Sequence, residues 1–181
     1  MNCNQVILVD SEDRPIGVME KLEAHEKGIL HRAFSVFLVN NQNKILLQRR
    51  ALSKYHSPGL WTNSVCSHQC EGESNEEAAA RRLNEELGIE HSPELTDLFT
   101  FQYHAQFDNG LQEHEFDHVL FGKYNGYLVP NPDEVAEIKW IDADDISEWL
   151  ERSPDDFTVW FQLIFERFRA AIQQKASVSS V

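Results

Sequence analysis

One helix in the middle of this chain has both of its ends marked. Ser74-Asn75-Glu76-Glu77 is a capping box, a Ser N-cap with Glu three residues on, so each side chain can satisfy a free N–H at the other's backbone. Gly88 is its stop, because glycine takes the left-handed conformation that closes a helix. Between them Ala79, Leu83 and Leu87 recur every fourth residue and make one apolar stripe. A helix with a single apolar face needs a surface to lie on.

The flanking segments provide a sheet. Residues 6–10 and 16–19 read as short strands around a turn at 11–15, and 21–28 is polar and helical. Residues 33–39 form a near-continuous β-favouring run, a buried strand, and the turn 40–43 leads to its hairpin partner at 44–50. A loop at 53–59 enters a strand at 61–66. Long strands are expected at 99–107 and 111–124 around Asp108-Asn109-Gly110, and a short one at 137–141. Helices are expected at 142–151 and 158–172. Strands followed by helices, with one central helix, predict an α+β fold on a mixed sheet. We expect one domain over residues 1–172 and a disordered tail at 173–181.

The formal net charge is −14 and the pI is near 4.9. Such a field repels nucleic acid and anionic lipid, so neither is expected as a partner. Basic residues nevertheless cluster at Arg49, Arg50 and Lys54 and again at Arg81 and Arg82, as a pocket for a small anion would need. Three cysteines in a chain of 181 residues do not look like a disulfide framework. No apolar leader and no membrane-length run is apparent. A reducing cytoplasm, where Cys66 stays a free thiol, is the expected compartment.

Cys66 and His68 stand two residues apart, which on a strand means one face. A thiol and an imidazole together suit proton chemistry or metal binding. Glu113 and Glu115 share a face of another strand, where like charges repel unless a metal or a cation lies between them. A zinc knot of Cys66, His68 and Cys70 lacks a second downstream pair. Taken singly, Cys66 reads as a buried apolar residue, His25 and His31 as surface histidines, and Trp160, among Phe157, Phe161, Phe165 and Phe168, as core.

Gly72-Glu73, Arg81, Leu83 and Glu85-Glu86-Leu87-Gly88-Ile89 resemble the signature box of the Nudix superfamily. Ser67 stands where the first glycine belongs, and Arg82 where a metal-binding Glu belongs. Thr62-Asn63, Cys66, His68, Arg82, Glu113 and Glu115, with the Arg49-Arg50-Ala51 block, Ser53 and Lys54, resemble one branch of it, the type 1 isopentenyl-diphosphate isomerases. The likeness runs from about Lys21 to Trp160.

That resemblance implies an α/β/α sandwich with a mixed sheet and interconversion of isopentenyl and dimethylallyl diphosphate through a carbocation-like intermediate. It implies Cys66 and Glu115 as acid and base, Tyr103 as a proton relay with Glu115, and Trp160 as a π surface for the cation. It implies a cage of His25, His31, His68, Glu113 and Glu115 for zinc or manganese. A magnesium ion would bridge the diphosphate near Glu86 and the Cys66 carbonyl, and Lys21, Arg50, Lys54 and Arg82 would neutralise the diphosphate. The partner is a small prenyl diphosphate, and the chain is a monomer or homodimer. Arg81 is expected to orient carboxylates. The rival readings are a Nudix hydrolase of nucleoside diphosphate derivatives, which Arg82 opposes, and a catalytically dead Nudix binding module.

Overall fold

The computed structural model describes residues 3–178. Strands β1 (Gln5–Val9) and β2 (Pro15–Glu20) form an N-terminal hairpin, followed by helix α1 (Lys21–Lys27) and strands β3 (His31–Val39) and β4 (Ile45–Arg50). Two short strands, β5 (Trp61–Thr62) and β6 (Val65–Ser67), precede α2 (Asn75–Leu87). Strands β7 (Leu95–Gln106), β8 (Gln112–Lys123) and β9 (Val135–Ile141) complete the sheet. Helix α3 (Ala143–Arg152), a 3-10 turn at Pro154–Asp156 and α4 (Val159–Val178) follow.

Both ends of α2 form as the residues dictate. Ser74 Oγ accepts from the Glu77 N–H at 3.2 Å, and Glu77 accepts from the Ser74 N–H at 2.8 Å. Gly88 sits at φ 68°. Ala79, Leu83 and Leu87 are fully buried, so truncating Leu83 to Ala should cost about 2–5 kcal/mol.

Strand β3 is the axis of the sheet, and its alternation separates two cores. Phe34, Val36 and Leu38 pack with Ala79, Leu83 and Leu87 of α2. Phe37 and Val39 pack with Phe161, Phe165 and Phe168 of α4, the Phe37 and Phe168 rings stacking at 3.9 Å. With helices on both faces, the architecture is the expected α/β/α sandwich on a mixed sheet.

Four expectations need correction. The hairpin of 33–39 with 44–50 opens after a single pair, Val39 with Ile45. Beyond it β3 runs parallel to β8, from His31 opposite Glu115 to Val39 opposite Lys123. Strand β4 turns away to pair with β9. The segment 61–67 fills the gap, with β5 on β4 and β6 on β3.

The single strand expected at 61–66 is broken at Asn63-Ser64. Their buried side chains replace the ladder. Ser64 Oγ donates to the Leu46 carbonyl and accepts from the Leu38 N–H, both at 2.8 Å, tying β3 to β4. Asn63 Nδ2 donates to the Val65 carbonyl at 2.7 Å.

Cys3 and Cys70 are joined by a disulfide, against the expectation from cysteine number, and Cys66 is the free thiol among the described residues. Helix α4 continues through Val178, so the tail expected from residue 173 is helical that far. Residues 179–181 lie outside those described.

Candidate active site

Cys66 of β6, Glu113 and Glu115 of β8, and Trp160 of α4 line one pocket. Lys21, Arg50, Lys54, His68, Arg82 and Glu86 line it too. His25, His31 and Tyr103 are buried behind this wall. The structure thus brings the sequence-predicted residues together. The break at Asn63-Ser64 lets one short segment serve both β4 and β3 and then deliver Cys66 and His68. His68 lies just past the end of β6, so its proximity to Cys66 comes from the loop and not from a shared strand face. The accessible space is about 50 Å³, several times the roughly 10–15 Å³ that one water needs on the same measure.

Strand β8 buries three carboxylates on one face, with Glu113, Glu115 and Asp117 exposed by 3%, 2% and 0%. Such a face costs free energy unless each group is partnered. Tyr103, opposite Glu115 in the β7–β8 ladder, places its hydroxyl 2.7 Å from Glu115 Oε2 and 3.0 Å from Glu113 Oε2. One phenol hydrogen cannot serve both. The set is satisfied when Glu113 keeps a proton and donates to the phenol oxygen while the phenol donates to Glu115.

The electrostatics agree. Burial, and then the Glu115 charge, push Glu113 well above the usual carboxylate range. Burial also opposes charge on Glu115, yet the His31 and His68 imidazoles hold its carboxyl well below that range. Burial and the neighbouring Asp117, Glu115 and Glu113 push the Cys66 thiol well up. Ser35, opposite Cys66 on β3, donates to Asp117 at 2.7 Å.

The three expected histidine ligands meet at this face. His25 Nδ1 lies 2.7 Å from the Lys21 carbonyl and His31 Nδ1 lies 2.7 Å from the Ile29 carbonyl. A carbonyl can only accept, so each Nδ1 carries a hydrogen, and in the neutral ring each Nε2 is a bare lone pair. Both Nε2 atoms are buried without a hydrogen-bond partner. His68 Nε2 is 3.0 Å from Glu115 Oε1, and His31 Nε2 is 3.6 Å from the same oxygen. Ligand atoms of His25, His31, His68 and Glu115 all lie within 4.8 Å of one another. Orphaned imidazole lone pairs aimed at a carboxylate fit a divalent cation.

Toward the outside, a second space of about 440 Å³ shares Lys21, Lys54, Tyr55, His68 and Arg82 with the first. Burial and the charges of Arg82 and Lys54 pull the Lys21 pKa down, the mark of concentrated positive charge. Arg82 is engaged by Glu86 at 2.7 Å, Glu85 at 2.6 Å and Glu134 at 3.0 Å, and Lys54 also pairs with Glu134. Glu86 further accepts from Gln48 at 2.8 Å. Arg81 forks onto Glu73 with two bonds of 2.8 Å and donates to the His68 carbonyl at 3.2 Å, so it orients carboxylate and loop together.

Trp160 is part of the core and also reaches the pocket, with the Arg50 guanidinium 5.4 Å from its ring centroid.

Sequence reasoning missed His56, Gln48 and Glu134. His56 is one of eight histidines, and its loop carries no signal that separates a buried imidazole from an exposed one. Its ring is held neutral, its pKa pulled to about 3 by burial and then by Arg50. Glu134 lies in a Pro- and Asp-containing turn before β9, which reads as an ordinary solvated loop.

A NUDIX domain model matches residues 29–161. An isopentenyl-diphosphate Delta-isomerase of Pectobacterium atrosepticum is 49% identical over 167 residues, 92% of this chain and 92% of its own. One from Burkholderia multivorans is 47% identical over 163 residues, 90% of this chain and 92% of its own. A crystal structure from Deinococcus radiodurans matches with a TM-score of 0.74 at 22% identity, covering 90% of this chain and 98% of that one. The MutT protein of Methanosarcina mazei gives 0.63 at 21% identity, over 78% and 94%. At such identities the two structures speak for the fold alone.

Proposed function

The chain belongs to the Nudix superfamily and, within it, to the isopentenyl-diphosphate Delta-isomerases, and on that premise we propose that Cys66 and Glu115 carry its reaction. It interconverts isopentenyl diphosphate and dimethylallyl diphosphate, the precursors of isoprenoids. The observation that carries the residue assignment is the approach of the Cys66 and Glu115 ligand atoms to within 4.8 Å, in a buried pocket flanked by cations.

The alkene is a weak base, so its protonation needs a strong acid; the cation then loses a proton to a base on the other side of the cationic centre. Glu115 is the group held low and Cys66 the group pushed high. These shifts leave the charge on Glu115 and the proton on Cys66, so a proton passed from Cys66 to Glu115 before the reaction readies a strong acid and a strong base. Tyr103 relays at Glu115, and run backward the roles exchange. Burial excludes the water that would capture the cation. Trp160 offers its π face, worth about 2 kcal/mol when desolvated.

Lys21, Arg50, Lys54 and Arg82 bind the diphosphate. For Lys54 and Arg82 this means exchanging Glu134 for phosphate oxygens. His25, His31, His68, Glu113 and Glu115 hold zinc or manganese, which when bound favours the charged form of Glu115. Glu86 and the Cys66 carbonyl serve magnesium with the diphosphate. No helix among the described residues is long and apolar enough to cross a membrane. We assign the chain to the cytoplasm. Every group invoked comes from one chain, so a monomer suffices.

The test is the purified chain with isopentenyl diphosphate and magnesium. Allylic diphosphate is the expected product. No allylic product where a control isomerase works, or hydrolysis of nucleoside diphosphate derivatives instead, would overturn this reading.

A further inference from the structure

We infer that the Cys3–Cys70 pair is a thiol–disulfide exchange site whose opening slackens the wall of the outer cavity and weakens its hold on a diphosphate. The inference rests on the diphosphate reading of Lys21, Lys54 and Arg82 above and adds a redox control to that same site.

The disulfide joins two parts of the chain 67 residues apart, with their Cα atoms at 5.3 Å. Its Cys70 side is a fixed anchor. Cys70 is 5% exposed, and its N–H donates to Glu73 Oε2 at 2.8 Å. Arg81 forks onto that carboxylate and donates to the His68 carbonyl at 3.2 Å. The Cys3 side is held more lightly. Cys3 is half-buried and stands two residues before β1. The neighbouring Asn4 bonds back to the end of its own hairpin: its carbonyl accepts from the Lys21 N–H at 2.8 Å, and its Nδ2 donates to Glu20 Oε1 at 3.0 Å. Strand β1 meets β3 at one pair, Leu8 with His31. In the hairpin turn, Asp13 accepts from Arg32 at 2.7 Å and lies 2.9 Å from His118 Nε2. The hairpin is thus pinned by Asp13 at its turn and by the disulfide at its start.

That start lies at the cavity. The outer space of about 440 Å³ is lined by Cys3 and Asn4 together with Lys21, Lys54, Arg82 and Glu134. Asn4 holds the Lys21 backbone, and the Lys21 side chain reaches the inner pocket as well. A wall fixed before the ligand arrives costs less to order when it binds. With the bond open, residues 3–4 lose their covalent tie to the loop after β6, and that ordering cost returns.

In a compartment that keeps thiols reduced, a disulfide serves sensing more often than stability. The reductant is a dithiol, either a small molecule or a protein. Its first thiolate attacks Cys3 Sγ, the S–S bond breaks, and Cys70 leaves as a thiolate that takes up a proton. The second thiol of the reductant then displaces Cys3, which takes up the other proton. Two electrons and two protons pass to the chain, and the reductant departs as a disulfide.

The experiment compares the full chain in its disulfide form with the same chain reduced by a phosphine. Each is titrated with inorganic pyrophosphate and magnesium and assayed with isopentenyl diphosphate, and peptide mapping with blocked thiols verifies the state of Cys3 and Cys70. Reduction should raise the pyrophosphate Kd and the substrate KM severalfold and leave kcat near its starting value. Cys3→Ser should match reduced wild type under both conditions. Equal Kd and KM in the two wild-type states overturn the inference. So does a Cys3→Ser variant that responds to reduction as wild type does, because another thiol then carries the effect. A pair that does not close in oxidised glutathione overturns it too. If Cys3→Ser does not fold, Cys70→Ser takes its place, and if neither folds the two wild-type states decide. Redox-sensitive pyrophosphate binding without allylic product sinks the assigned reaction and leaves the exchange site standing. Allylic product with binding indifferent to reduction sinks the exchange site alone.

Discussion

Cys66 and Glu115 reach the same pocket from strands on opposite sides of β3, their sulfur and carboxylate oxygen within 4.8 Å of each other. Ser35 of β3 pairs with Cys66 on one side, and His31 of β3 pairs with Glu115 on the other. Their strands are therefore positioned by the most buried strand of the sheet.

Replacing either member should stop turnover without unfolding the chain. Cys66→Ala and Glu115→Gln are each expected to lower kcat by at least about 10²–10⁴-fold, the range of a lost general acid or base. Steady-state assays with circular dichroism as the folding control check this. Full activity in either variant removes that residue from the mechanism.

Tyr103→Phe takes away the hydroxyl shared by Glu113 and Glu115. Two buried carboxylates then face each other with less screening. We expect a stability loss of about 1–3 kcal/mol for the unsatisfied groups and a lower kcat with little change in KM. Urea unfolding and kinetics measure the two effects. A variant with wild-type kcat would show the phenol to be structural only.

Glu134 competes with the diphosphate for Lys54 and Arg82. Glu134→Gln should lower KM severalfold and leave kcat near wild type, because the cations are freed before substrate arrives. A raised KM would mean that Glu134 positions the two cations instead of occupying them.

The Arg81 bonds, then the Cys70 N–H, hold the Glu73 carboxyl below its ordinary value. Its charged form is thus favoured by folding. That contribution is present above the unfolded carboxylate value of about 4.3 and disappears as pH falls through the lower folded value. Glu73→Gln should be about 2 kcal/mol less stable than wild type at pH 7, and the gap should close in acid. Denaturant curves across pH 7 to 3 test it, and a gap that persists unchanged at the acid end contradicts the assignment.

With Cys3 and Cys70 joined, protein unfolded without reductant should titrate one thiol per chain, Cys66, rising to three after reduction. Three thiols before reduction would mean that the pair is open in the isolated protein.

Helix α2 was legible to its last residue because its signals act over one turn of chain: Ser74 reads Glu77, and Gly88 closes the turn before it. Residue types were legible too. A thiol, imidazoles and paired carboxylates beside an altered Nudix box pointed to proton chemistry on a diphosphate. The strand at 61–66 was misread because alternation does not reveal that the buried Asn63 and Ser64 would bond to backbone on both neighbours.

The chain by itself determined the marked helix, the kinds of chemical group and the family they belong to, since these depend on residues close in sequence or on their identity alone. Only the tertiary structure decided that β3 leaves β4 for β8, that Tyr103 joins the two carboxylates, and that His56 and Glu134 enter the site. Those outcomes rest on long-range packing. Which strand buries β3 best, and which lone pair faces which carboxylate, is settled among residues 80 or more positions apart, as Lys54 and Glu134 are and Ser35 and Asp117, and no local pattern encodes it.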